Sequence, residues 1–76
     1  MICLLHRIDP TQNMARFYRI EVMGDLFGAV TVERCWGRIG ARGQRHVASY
    51  PSRDEAEHHA ERLIRTKARR GYVPAA

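Results

Sequence analysis

The stretch SRDEAEHHAERLIRTKARRG, residues 52–71, decides the fold. Ser52 and Glu55 make the Ser-x-x-Glu pattern that caps a helix N-terminus, each side chain serving a backbone N–H that the helix leaves unpaired. Acids gather at the start (Asp54, Glu55, Glu57) and bases at the end (Arg65, Lys67, Arg69, Arg70), which suits the partial charges of a helix dipole. Ala56, Ala60, Leu63, Ile64 and Lys67 recur at helical spacing and form one apolar stripe, with Lys67 at its margin. Glu61 and Arg65 stand at the i,i+4 separation of an ion pair on one helix face. Gly71 supplies the left-handed residue on which helices commonly stop. A helix with one apolar stripe must bury it against another layer, and the rest of the chain says which.

Upstream the period changes. Within residues 15–23, Tyr18, Ile20 and Val22 share one side and Phe17, Arg19 and Glu21 the other, which is the alternation of a strand. Residues 2–8 form a short apolar run that reads as a strand, and Asp9-Pro10-Thr11-Gln12-Asn13 is turn chemistry. Gly24, Asp25 and Gly28 mark a hairpin turn into a third strand, with Val30 and Val32 facing one way and Thr31 and Glu33 the other. Continued without a bulge, this alternation places Arg34, Trp36 and Arg38 on one side; Gly37 is where a bulge would fall. Gly40 and Gly43 permit a tight turn with Arg42 at its tip. Gln44–Tyr50 reads as a fourth strand that gives Val47 and Tyr50 to the core, and Pro51 ends it. Tyr72 and Val73 either add a last short strand or pack across the sheet. The only partner available to the helix is the sheet. The expected fold class is therefore α+β: a small antiparallel β-sheet with one amphipathic α-helix packed on one face. At 76 residues the chain is expected to be a single domain, residues 1–76, with a thin core and little room for a deep cleft.

The net charge of +5 suits a polyanionic partner. Its distribution is uneven: residues 34–53 hold Arg34, Arg38, Arg42, Arg45 and Arg53 and no acid, while acids and bases nearly cancel elsewhere. Lys67 is the one lysine among the 13 basic residues. Arginine matches phosphate oxygens bidentately and stacks on flat groups.

The same residues speak against several chemistries. Cys3, His6, Cys35, His46, His58 and His59 show no structural-zinc spacing, and no stretch matches a phosphate-binding glycine loop. Cys35 and His46 are the only nucleophile–base pair worth naming, and a lone thiol in a strand is more often packing than nucleophile. The expectation is a protein that is not an enzyme and needs no metal or cofactor. Two distant cysteines suit reduced thiols in the cytoplasm. The apolar run Ile2–Leu5 is too short for a signal peptide or a membrane span, so no membrane partner is expected.

The most distinctive segment is Trp36-Gly37-Arg38-Ile39-Gly40, followed by Gly43-Gln44. An indole offers a flat face for a sugar or base, Gly37 lets a backbone approach, and Arg34 and Arg38 can hold flanking phosphates while Arg42 and Arg45 widen the positive field. Two homes stay open for Trp36: a core position with Arg38 solvated at a strand end, or an exposed stacking platform. Together with Asn13, the Phe17-Tyr18-x-Ile20 strand, Gly28, Ala56 and Lys67, the segment resembles the WGR domain, found in poly(ADP-ribose) polymerases that sense DNA breaks and in many bacterial proteins. The resemblance covers roughly Asn13 to Lys67. It implies an antiparallel sheet with one packed helix and a nucleic-acid partner, DNA ahead of RNA. Carried over, it makes Trp36 a stacking residue against a strand's sugar, Arg38 a phosphate or inter-domain contact, and Arg34 a helper, with Asn13 and Gln44 structural or peripheral. The regulatory and catalytic domains of the polymerases have no counterpart here, so ADP-ribosyl transfer is not implied. The alternative function is docking of a partner protein through the same surface, since Trp and Arg are enriched at interface hot spots.

Overall fold

The computed structural model describes residues 1–24 and 27–75; Asp25, which the sequence puts in a turn, lies outside them. Four strands follow one another as a meander: β1 (Ile2–Asp9), β2 (Met14–Gly24), β3 (Val30–Arg38) and β4 (Gln44–Tyr50). Helix α1 (Arg53–Arg69) then crosses back, and β5 (Val73–Pro74) pairs with β1. The sheet order is β4-β3-β2-β1-β5, with every neighbouring pair antiparallel. Both fates foreseen for the tail occur: Val73 joins the sheet while Tyr72 is buried.

Turn chemistry fixes the register. One carboxylate oxygen of Asp9 accepts from the Thr11 N–H (3.1 Å) and hydroxyl (2.6 Å), and the other from Gln12 Nε2 (2.9 Å). A single 3-10 turn, Pro10–Gln12, ends on Asn13 at φ 50°, the left-handed conformation that Asn tolerates better than most residues. This sets Asp9 opposite Met14, and hence Leu5 opposite Tyr18 and Arg7 opposite Arg16. In the next pair Tyr18 lies opposite Trp36 and Arg16 opposite Arg38, and pairing runs through Gly37 with no bulge.

Directly paired residues share a face of the sheet. Cys3, Leu5 and Arg7 of β1 therefore join the even-numbered residues of β2, β3 and β4 on the helix side. The core forms there from Leu5, Tyr18, Ile20, Val22, Val30, Val32 and Tyr72 under Ala56 and Ala60. Both alanines are fully buried, and their small side chains bring the helix backbone close to the sheet. Leu63 and Ile64 pack against the same cluster, and Tyr50 meets His59 with ring centroids 5.2 Å apart. Val47 does not join the core as expected: it pairs with Glu33 on the opposite face and is exposed, and Ala48 takes the inward place.

The C-terminal signal is met in full and the N-terminal one through Ser52. The Glu55 N–H donates to Ser52 Oγ at 3.2 Å. At the other end the Gly71 N–H donates to the Ala68 carbonyl and the Tyr72 N–H to the Lys67 carbonyl, each at 3.1 Å, with Gly71 at φ 96°. That double bond pattern is a Schellman motif, and it aims Tyr72 into the core beside Tyr18, ring centroids 6.3 Å apart. The i,i+4 ion pair that forms on the helix is Arg53–Glu57, at 3.6 Å, rather than the Glu61–Arg65 pair suggested by spacing.

Candidate nucleic-acid interface

Strand register gathers bases that are far apart in sequence. On the helix side, Arg7, Arg16 and Arg38 form one cross-strand row. The next row runs Leu5, Tyr18, Trp36, Gln44, and the one after it Cys3, Ile20, Arg34, His46. The C-terminal end of α1 reaches the same region. The Lys67 Nζ lies 4.8 Å from the centroid of the Tyr18 ring and 5.4 Å from that of Tyr72, within cation–π range of both. A Cβ built on Gly71 would come within 3.3 Å of Arg7 Nε, so Arg7 runs beside the helix terminus. Trp36 thus stands beside Arg34 and next to the Arg7, Arg16, Arg38 row, with Lys67 and Arg70 at the helix end over its cross-strand partner Tyr18.

Trp36 combines its two foreseen homes. It is half-buried and packs against the core, with Arg34 5.7 Å from its ring centroid. The backbone around it is tightly closed. Gly43 sits at φ 75°, and a Cβ there would strike the Trp36 carbonyl oxygen and lie 2.9 Å from Phe17 Cζ. A Cβ on Gly37 would meet Gly43 Cα at 2.8 Å. The two glycines press the ends of the β3–β4 turn together, which fixes the position of Trp36.

Arg38 is anchored. Its Nη1 donates to the Asn13 carbonyl at 3.1 Å and its Nη2 approaches Asn13 Oδ1 at 3.5 Å. Asn13 is therefore structural, tying the β1–β2 turn to the end of β3, while Arg38 remains exposed. Arg42 is exposed in the β3–β4 turn.

Arg45 does not share this surface. It pairs with Cys35 on the open face of the sheet and donates to Glu33 Oε2 at 2.9 Å. Arg19 completes a ladder there, 2.6 Å from Glu21 and 3.6 Å from Glu33. The Glu33 carboxyl is held below its ordinary value first by the hydrogen bond from Arg45, against the desolvation that raises it. Arg53 sits at the far end of the molecule near Gly24. The run of charge at residues 34–53 is thus divided in space, and the site is completed by Arg7, Arg16, Lys67 and Arg70. One signal was available: the parity that aligns Tyr18, Ile20 and Val22 also puts Arg16 on their face. Cys35 and His46 face opposite sides of the sheet, so they form no pair. Among the described residues no group of three or more His, Cys, Asp or Glu is placed to hold a metal ion, and no helix is long and apolar enough to cross a membrane.

Crowding marks the positive cluster. Burial holds the Lys67 ammonium below the ordinary lysine range, and Arg70, Arg34 and Arg16 push it further the same way. Burial raises the Tyr18 phenol, and the nearby Arg34 opposes that shift.

A five-stranded antiparallel sheet, one helix across it and an arginine-rich end around a Trp-Gly-Arg corner define a small basic α+β module. Family comparison places all of it: residues 1–76 match the WGR domain, and the chain belongs to that family. The uncharacterized protein y4dW of Sinorhizobium fredii is 40% identical over 70 residues, covering 92% of this chain and 34% of the relative. A crystal structure of a Bacteroides fragilis protein superposes with a TM-score of 0.80 at 32% identity, over 100% of this chain and 20% of that one. The chain thus spans about a third and a fifth of the lengths of these two proteins.

Proposed function

We propose that the protein is a non-catalytic nucleic-acid-binding module, for DNA in preference to RNA, that contacts strand backbone or strand ends with the helix-side surface around Trp36. The observation that carries this is the gathering of six bases from β1, β2, β3 and the C-terminal end of α1 at the end of the sheet that holds the half-exposed Trp36. The cations supply phosphate contacts, and the indole supplies a flat surface for a sugar or base. Family membership supports the same reading.

The test is fluorescence anisotropy with a short duplex, a nicked duplex and a single strand, at low and physiological salt. Wild type is expected to bind in a salt-dependent manner. Trp36→Ala is expected to lose about 1–3 kcal/mol, the usual worth of one stacked base. Circular dichroism must show that the variant is folded, because Trp36 also packs on the core. Absence of binding to all three at low salt would refute the reading. The second reading, a protein partner, is favoured by a different surface: the open face, where Ile2, Leu4 and Ile8 of β1 and Val73 of β5 are exposed beside the neutral ladder of Arg19, Glu21, Glu33 and Arg45. Substitution of Ile8 by Lys separates the two, since it would abolish capture of such a partner and spare binding of oligonucleotides.

A further inference from the structure

Four cations crowd one another at the C-terminal end of α1. Arg16 and Arg34 come from β2 and β3, Lys67 from the helix and Arg70 from its C-cap. No carboxylate is among the groups that act on the Lys67 ammonium; the charged ones are the three arginines. A helix terminus attracts cations, but its partial charge is only about half a unit negative, too little to balance four. A cluster of this kind destabilises the free protein and is relieved when an anion binds.

A second observation comes from beneath the cluster. Tyr18 is 2% exposed, and its hydroxyl makes no hydrogen bond of good geometry among the described residues; Arg34 acts on its oxygen as a donor, which leaves the O–H proton without an acceptor. A buried hydroxyl left unpaired is costly, so it marks a place where a partner is expected. The Lys67 ammonium lies over the ring of this tyrosine, and Arg34 lies in the neighbouring row on the next strand.

Resting on the nucleic-acid reading of this surface, we propose that Arg16, Arg34, Lys67 and the Tyr18 hydroxyl form a phosphate-binding site adjoining Trp36, whose ring Arg34 overlies. A phosphate oxygen accepts from the hydroxyl and lies between the guanidinium groups and the ammonium. The site commits to the phosphate group itself, carried either by a nucleic-acid strand or by a small phosphorylated molecule. Lys67 is suited to the role because its ammonium is already held over the rings of Tyr18 and Tyr72, which reduces the entropy lost on binding.

The experiment follows backbone amide shifts by NMR as inorganic phosphate replaces chloride at constant ionic strength. The expected result is a saturable shift localised to Arg16, Tyr18, Arg34 and residues 67–72. Lys67→Met keeps an unbranched apolar side chain beside the rings and removes the charge; Tyr18→Phe removes only the hydroxyl. Each is expected to weaken phosphate about tenfold, whereas Arg45→Ala on the open face leaves it unchanged. Small shifts spread over all basic residues, or equal affinity in wild type, Lys67→Met and Tyr18→Phe, would overturn the site. A parallel titration with a short single strand tells the sources apart. If the strand binds and suppresses the phosphate shift, the site takes strand phosphates. If phosphate binds there and no oligonucleotide binds anywhere, the site stands with a small phosphorylated ligand, and the nucleic-acid reading fails. If oligonucleotides bind while phosphate gives no local shift, the site fails and the broader reading survives.

Discussion

Replacing Gly43 or Gly40 with alanine gives a paired test of how the Trp-Gly-Arg corner is built. Both glycines have positive φ, 75° and 93°, in the same β3–β4 turn. A left-handed non-glycine residue costs roughly 1–2 kcal/mol, and this charge falls on both variants. They differ in available space. A Cβ on Gly40 meets nothing within 4 Å. On Gly43 it meets the Trp36 carbonyl oxygen, with the Trp36 carbonyl carbon at 3.0 Å and Phe17 Cζ at 2.9 Å. Two of those atoms are backbone, so β3 must move, and overpacking of this kind costs about 1–3 kcal/mol more. Gly40→Ala should therefore lose about 1–2 kcal/mol, and Gly43→Ala about 2–5 kcal/mol. For a domain of this size each kcal/mol shifts Tm by about 4–8 °C. Thermal and urea unfolding followed by circular dichroism would show Gly43→Ala losing about 1–3 kcal/mol more than Gly40→Ala. Trp36 fluorescence would change in Gly43→Ala alone, since that variant displaces its carbonyl. Equal losses, or an unchanged Trp36 spectrum in Gly43→Ala, would show that the turn is not closed by glycine-on-backbone contact.

Three further outcomes follow from the geometry. Arg16→Gln and Arg34→Gln should each weaken oligonucleotide binding and reduce the slope of log affinity against log salt by about 0.7–0.9 per lost phosphate contact; Arg45→Ala should change the slope far less, because its guanidinium faces the other side. Ser52→Ala removes the acceptor for the Glu55 N–H and should lower stability by about 1 kcal/mol, read as a shift in urea midpoint. The stability that Glu33 draws from its lowered pKa is present above 4.5 and is lost as pH falls through the folded-state value. Tm measured from pH 6 to pH 3 should therefore fall less steeply in Glu33→Gln than in wild type.

The fold was legible because its signals are local. Ser52, Gly71 and the stripe from Ala56 to Lys67 specify a helix without reference to the rest of the chain, and alternation around Tyr18 and Val30 specifies strands and their inner faces. The site was legible only in part. Parity correctly set Arg34, Trp36 and Arg38 on one side. Charge density along residues 34–53 was a poor guide, since a strand sends successive side chains to opposite faces and a turn or helix start carries others away. That is why Arg45 and Val47 lie on the open face and Arg53 at the far end. The contributions of Arg7, Lys67 and Arg70 depend on β1 register and on where the helix ends over the sheet, which are long-range facts. The Arg38–Asn13 contact is another: it joins residues 25 apart in sequence through a left-handed turn.

The last strand has a mechanical consequence. Ala75 donates its N–H to the carbonyl of Leu4 at 2.9 Å, and Leu4 is three residues from Met1 along β1. At about 3.3 Å per strand residue, the two ends of the described chain emerge within roughly 10 Å of each other. A module with such adjacent ends can be spliced into a surface loop of a larger protein as a cassette, leaving its host nearly undistorted. Tension applied across the splice would pull β5 from β1 one rung at a time, and because β5 is so short, Tyr72 would be drawn away from Tyr18 and Lys67 early. The basic surface would then lose its shape while the meander of β1 to β4 stayed intact.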